Sequence, residues 1–87
     1  MSLEEYRERI DEINLEILKL LSERMDVVRK IGDWKEEKGM KIEDEDREIE
    51  MYEDLREKGK KLGLDRDFVK GLFERIVKES KKKQNGQ

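Results

Sequence analysis

Residues 3–38 read LEEYRERIDEINLEILKLLSERMDVVRKIGDWKEEK. Apolar side chains in this stretch recur at intervals of three and four residues, with one interval of seven after Leu20, namely at Leu3, Tyr6, Ile10, Ile13, Ile17, Leu20, Val27, Ile31 and Trp34. That spacing places them on one face of an α-helix, as in the apolar seam of a coiled coil. Ser2 followed by Glu5 fits a capping box, and Gly39 fits a left-handed helix end. The stretch therefore predicts one long amphipathic helix over about residues 3–38.

Two shorter helices are predicted after it. Asp44 is a candidate N-cap for a helix over about residues 45–62, which Gly63 ends. Asp65 can cap a third helix over about residues 66–83, and the lysines at 81–83 together with the tail to Gln87 are expected to fray. No strand alternation, internal repeat or linker occurs in the sequence. The prediction is an all-α chain forming one domain over residues 1–87.

The length of the first helix bears on assembly. Its 36 residues would extend about 54 Å. A compact globule of this chain length has a radius of gyration of about 12 Å and is roughly 30 Å across. The apolar seam must then be covered by another chain, most simply a two-fold partner running antiparallel. A coiled coil without a pocket explains the helix length equally well.

The composition excludes several classes of site and partner. The 87 residues contain 24 acidic and 21 basic side chains, with no His, Cys or Pro. Without His and Cys, neither a Ser-His-Asp nor a Cys-His nucleophile can form, and no metal site is expected. A net charge of -3 with interspersed signs argues against nucleic acid. No apolar run is long enough for a membrane span and no signal peptide is evident, so a cytoplasmic protein is expected.

The apolar seam of the first helix is interrupted by a cation. The series Leu3, Ile10, Ile17 continues at Arg24, before Ile31 resumes it. A cation in an apolar stripe is costly unless something anionic meets it. The adjoining edge of the same helix carries Arg7, Val28 and Lys35, which are separated from one another by multiples of seven residues. An alternative explains Arg24 equally well. It would be a polar residue that sets the register of paired helices, with neighbouring side chains whose charged ends reach solvent.

The other two helices carry polar residues that favour a binding pocket. The apolar stripe of the third helix continues at the same spacing to Ser80 and Gln84, although such residues at a helix end are often solvated. In the first turn of the second helix, Glu48 could offset the helix dipole, whereas Arg47 has the wrong charge for that purpose. Together these residues indicate a cation-rich site for a small dicarboxylate, without a nucleophile. Positioning and fixed electrostatics would then drive any reaction.

The residues resemble the all-α, AroQ-class chorismate mutases. The matching pieces are RERIDEI (7–13), LLSER (20–24), IGDWK (31–35), DEDRE (44–48) and SKKKQ (80–84), in this order. The resemblance implies a chorismate mutase II-like fold, an intertwined homodimer of three-helix chains. It also implies an isomerase of aromatic amino-acid biosynthesis that rearranges chorismate to prephenate without a cofactor.

The resemblance also implies individual roles for these residues. Arg24 and Arg7 of the partner subunit would pair with the two substrate carboxylates. Lys35 and Gln84 would donate hydrogen bonds to the breaking ether oxygen, and Glu48 would accept one from the ring hydroxyl. The remaining contacts implied are the backbone of Asp44, the side chains of Arg47 and Ser80, and an apolar wall of Val28, Ile31, Met51 and Val77.

Helix geometry supports a separate site for Arg7. Arg7 and Arg24 are 17 residues apart on one helix, which is about 25 Å of axial rise. One small dicarboxylate cannot touch both, so Arg7 would serve the site of the partner. Two alternatives stay open at this point: an isochorismate pyruvate-lyase on the same fold, and a non-catalytic helical dimerisation module.

Overall fold

Three α-helices make up the computed structural model, which describes residues 1–41 and 44–84. They are α1 (Leu3–Lys38), α2 (Glu45–Lys61) and α3 (Arg66–Gln84), and the all-α class is confirmed. α2 ends one residue earlier than expected, and α3 continues through Gln84, past the lysines at which fraying was expected. Residues 85–87 of the expected tail lie outside the described residues. None of these helices has an apolar stretch that could cross a membrane.

Local side-chain caps determine where the helices begin and end. At the start of α1, the Ser2 hydroxyl accepts from the Glu5 amide at 3.2 Å, and the Glu5 carboxylate accepts from the Ser2 amide at 3.4 Å. Asp44 and Asp65 each accept from the backbone amide three residues further on, at 3.1 and 2.9 Å. α1 ends at Gly39, whose φ of 69° is left-handed and suits glycine. The predicted caps are therefore confirmed.

α3 is the central helix and packs against both other helices. Within the described residues, no Cα atom of α1 lies within 8 Å of one in α2. Among the residues that the structure describes, the buried apolar side chains are Val28 on α1 and Val69 and Val77 on α3. α2 approaches α3 closely at Gly59, where an added Cβ would lie 2.8 Å from Val69 Cγ2. The core of the single chain is consequently thin.

The chain is elongated because α1 extends well beyond the other two helices. The extents are 55 × 24 × 15 Å, and the radius of gyration is 16.1 Å, against about 12 Å for a compact chain of this length. The buried residues of α1, Val28 and Gly32, both lie in its second half. In the first half, the apolar seam is 49–64% exposed at Leu3, Tyr6, Ile10, Ile17 and Leu20. The expected overshoot of the first helix is confirmed.

Candidate active site

A pocket of about 230 Å³ opens between the second half of α1, the start of α2 and the end of α3. Its lining residues are Arg24, Val28, Ile31, Lys35, Asp44, Arg47, Glu48, Met51, Val77, Ser80, Lys81 and Gln84. The structure therefore brings together all the site residues that the sequence assigned to a single chain. It also adds Lys81, which the sequence analysis did not assign to the site.

Ser80 connects α3 to the cation of the α1 seam. Its side chain is buried, with 6% of the residue exposed, so it is not a solvated residue at a helix end. The Ser80 hydroxyl donates to the Ile76 carbonyl at 2.8 Å and accepts from the Arg24 guanidinium. Across residues 1–41 and 44–84, no carboxylate lies within 4 Å of that half-buried guanidinium. Arg24 is thus held by a neutral partner and keeps its positive charge available to a ligand.

Gln84 is positioned by a close approach of α3 to α1. Gly32 is buried on α1, and an added Cβ there would lie 3.0 Å from both the Cα atom and the carbonyl oxygen of Gln84. Lys35, one helical turn beyond Gly32, lines the same pocket as Gln84. The sequence analysis did not identify Gly32; a glycine within a strongly helical stretch was the available signal.

An ion pair between Glu48 on α2 and Lys81 on α3 lies at the wall of the pocket. Lys81 Nζ lies 3.0 Å from Glu48 Oε1, and both side chains are half-buried. Lys81 follows the buried Val77 by four residues and precedes Gln84 by three, which places it on the pocket side of α3. Its spacing from Val77 was the signal in the sequence, which the neighbouring lysines obscured.

The pocket combines positive charge with apolar walls. Four cations line it, Arg24, Lys35, Arg47 and Lys81, against the two carboxylates of Asp44 and Glu48. The described lining residues thus carry two net positive charges in a chain whose net charge is -3. Its apolar side chains are Val28, Ile31, Met51 and Val77. This combination suits a small organic dianion with an apolar body.

The pKa of Tyr52, one turn beyond Glu48 on α2, depends on charges of the pocket. Burial raises the pKa of the Tyr52 phenol, and the Glu48 and Glu74 carboxylates raise this pKa further. The Lys81 and Arg24 cations oppose that rise. Charges from all three helices therefore act on this phenol.

Arg7 lies apart from this pocket, on the projecting half of α1. Its side chain is 66% exposed and pairs with Glu4 on the same helix at 3.4 Å. The 17-residue separation from Arg24 corresponds to about 25 Å along α1. Arg7 does not line the pocket of its own chain.

Comparison with known proteins identifies the family. The family described as chorismate mutase type II matches residues 6–85 of this chain. The chain belongs to this family. The resemblance predicted from the sequence is confirmed.

Three relatives illustrate the range of lengths among similar proteins. A chorismate mutase of Methanocaldococcus jannaschii is 32% identical over 79 residues, which cover 91% of this chain and 80% of the relative. A bifunctional chorismate mutase/prephenate dehydratase of Buchnera aphidicola is 39% identical over 75 residues, covering 86% of this chain. A T-protein of Haemophilus influenzae is 29% identical over 84 residues, covering 97%. The matched region is only 20% and 22% of the lengths of these last two proteins.

Proposed function

We propose that this chain is a chorismate mutase, an isomerase that rearranges chorismate to prephenate in aromatic amino-acid biosynthesis. The observation that carries the proposal is a pocket that combines two net positive charges with apolar walls, in a member of this family. Relatives named chorismate mutase, alone or in bifunctional proteins, support it. The cytoplasmic location expected from the sequence stays a prediction.

Substrate binding begins with the carboxylates of chorismate. Arg24 presents a planar guanidinium that can bind one carboxylate through two parallel hydrogen bonds. The buried Ser80 hydroxyl holds that guanidinium from the α3 side, which reduces the rotamer freedom lost on binding. Arg47, at the start of α2, adds a second guanidinium to the same pocket.

The pocket would accelerate the rearrangement by stabilising the negative charge that develops at the ether oxygen. As the C–O bond breaks and the new C–C bond forms, negative charge grows on this oxygen. Lys35 and Gln84 lie together on the pocket wall and can donate hydrogen bonds to it. One such donor typically changes the rate by about 10²–10³. Glu48 would accept a hydrogen bond from the ring hydroxyl and so orient the ring.

The apolar wall would keep the substrate compact. Val28 and Val77 are buried, and Ile31 and Met51 complete the apolar part of the lining. A rearrangement within one molecule needs its two reacting ends held close together, and a close-fitting wall favours that conformer. It needs no nucleophile, which agrees with a chain that lacks His and Cys and in which the Ser80 hydroxyl is hydrogen-bonded.

We also propose that the active form is a homodimer in which Arg7 of the partner subunit completes each site. The exposed seam on the first half of α1 is the surface that a second chain would cover. An antiparallel partner would bring its own projecting half towards the pocket, because each α1 overshoots its domain. Arg7 lies on that half.

The direct test is to incubate the purified chain with chorismate and to identify the product. Prephenate is expected. Release of pyruvate from isochorismate at a higher kcat/KM would identify a lyase instead. If neither substrate reacts, the remaining alternative is a non-catalytic dimerisation module, for which Arg24→Leu should stabilise the dimer, because it removes a half-buried cation.

The shared site can be tested by mixing two inactive variants. Arg7→Ala and Lys35→Ala should each be nearly inactive. After joint unfolding and refolding, half of the dimers are heterodimers with one intact site each, so about a quarter of all sites should recover. No recovery, despite demonstrated subunit exchange, would contradict the shared site.

A further inference from the structure

The last turn of α3 contains three consecutive lysines, Lys81, Lys82 and Lys83, whose surroundings differ. Lys81 is 32% exposed and reaches from α3 to Glu48 on α2, with Nζ 3.0 Å from Oε1. Lys82 is 51% exposed and pairs with Glu79 on its own helix at 3.2 Å. Of these three, only Lys81 lines the pocket. The Lys81–Glu48 pair therefore bridges two helices at the site, whereas the Lys82–Glu79 pair lies on the surface of α3.

The Lys81–Glu48 pair involves the carboxylate that, in the proposed function, accepts a hydrogen bond from the ring hydroxyl of the substrate. Within the described residues, Lys81 is the one cation within 4 Å of the Glu48 carboxylate. It contacts Oε1, which leaves Oε2 for a ligand hydroxyl. The Tyr52 phenol, one turn away, is influenced by both charges, with opposite effects on its pKa. A half-buried carboxylate beside a dianionic ligand needs a compensating cation to stay in place.

We propose that Lys81 is a positioning residue for the reaction: its ammonium holds Glu48 at the pocket wall in the orientation that receives the substrate. This inference rests on the proposed function. Lys81 acts through Glu48, with which it pairs at the pocket wall. The sequence does not show this role, because residues 81–83 are all lysines and only the packing of α3 determines which of them contacts Glu48.

The proposal is tested by kcat and KM on chorismate for four single variants and one double variant, namely Lys81→Met, Lys81→Arg, Lys82→Met, Glu48→Gln and Lys81→Met/Glu48→Gln. Lys81→Met should lower kcat/KM by about tenfold, which corresponds to about 1.4 kcal/mol, because Glu48 loses its cationic partner. Lys81→Arg keeps the cation and should stay within about threefold of wild type. The matched control Lys82→Met removes a lysine from the solvent face and should leave kcat/KM unchanged. Circular dichroism should show that all variants remain helical.

The double variant separates positioning from a structural contribution. If Lys81 works through Glu48, then Lys81→Met should add less than about twofold in a Glu48→Gln background. An equal tenfold loss in both backgrounds would overturn the positioning role. So would a Lys81→Met variant that matches Lys82→Met in an active protein. A wild-type chain that does not rearrange chorismate would instead overturn the proposed function, and the role of Lys81 with it. Should Lys81→Met fail to fold, Lys81→Gln replaces it in the same comparison.

Discussion

Replacing Gly32 by alanine tests whether the close approach of α1 and α3 positions Gln84, one of the two proposed hydrogen-bond donors. Alanine inside a helix is normally more stable than glycine by about 0.5–1 kcal/mol. Gly71 in α3 provides a matched control, because a Cβ added there would have no described atom within 4 Å apart from the adjoining backbone of its own helix. Gly71→Ala should therefore raise the free energy of unfolding by about 0.5–1 kcal/mol.

At Gly32 the same substitution meets the backbone of Gln84. The added Cβ would lie 3.0 Å from two backbone atoms, so the helices must separate by a few tenths of an ångström. Overpacking of this kind costs about 1–3 kcal/mol. Gly32→Ala should therefore be about 1–3 kcal/mol less stable than Gly71→Ala. Because Gln84 moves away from Lys35, kcat should also fall, by about three- to tenfold.

Urea unfolding followed by circular dichroism, at one fixed chain concentration, measures the stability difference. Initial rates on chorismate measure kcat for both variants. The reasoning fails if Gly32→Ala equals Gly71→Ala in stability and in kcat, because the approach of α3 to α1 would then not determine where Gln84 lies. If Gly32→Ala loses stability but keeps its kcat, the packing argument holds and only the positioning of Gln84 is refuted.

Three further outcomes are expected. Gln84→Glu should lose most activity at neutral pH and regain part of it as the pH falls towards about 4.3, because a carboxyl group donates only when protonated; kcat/KM against pH measures this. Burial raises the pKa of the Tyr52 phenol, so above about pH 10 the unfolded chain loses this proton first and the free energy of unfolding falls. Tyr52→Phe should therefore lose less stability than wild type between about pH 9 and pH 11 in urea titrations. Asp65→Ala removes the cap on the Phe68 amide and should lower the free energy of unfolding by about 1 kcal/mol.

Much of the site could be predicted because helical periodicity converts residue spacing into direction. Arg24 interrupts the α1 seam, and Ser80 continues the α3 stripe; the two side chains meet in the structure. Lys81 was missed for the opposite reason. Its neighbours carry the same side chain, so only the rotation of α3 against α2 decides which ammonium reaches Glu48. Gly32 was missed because a helix-interior glycine has no side chain with which to indicate its neighbour.

Local interactions account for what the sequence determined by itself. Caps at Ser2, Asp44 and Asp65 and the left-handed Gly39 act within one turn, so the helix ends follow from residues close in the chain. The length of α1 and its exposed seam follow from the same periodicity. The tertiary structure alone decided that Lys81 joins the pocket and that a glycine brings α3 to α1. Both depend on contacts between residues far apart in the chain, whose geometry is set by how whole helices dock and not by local preference.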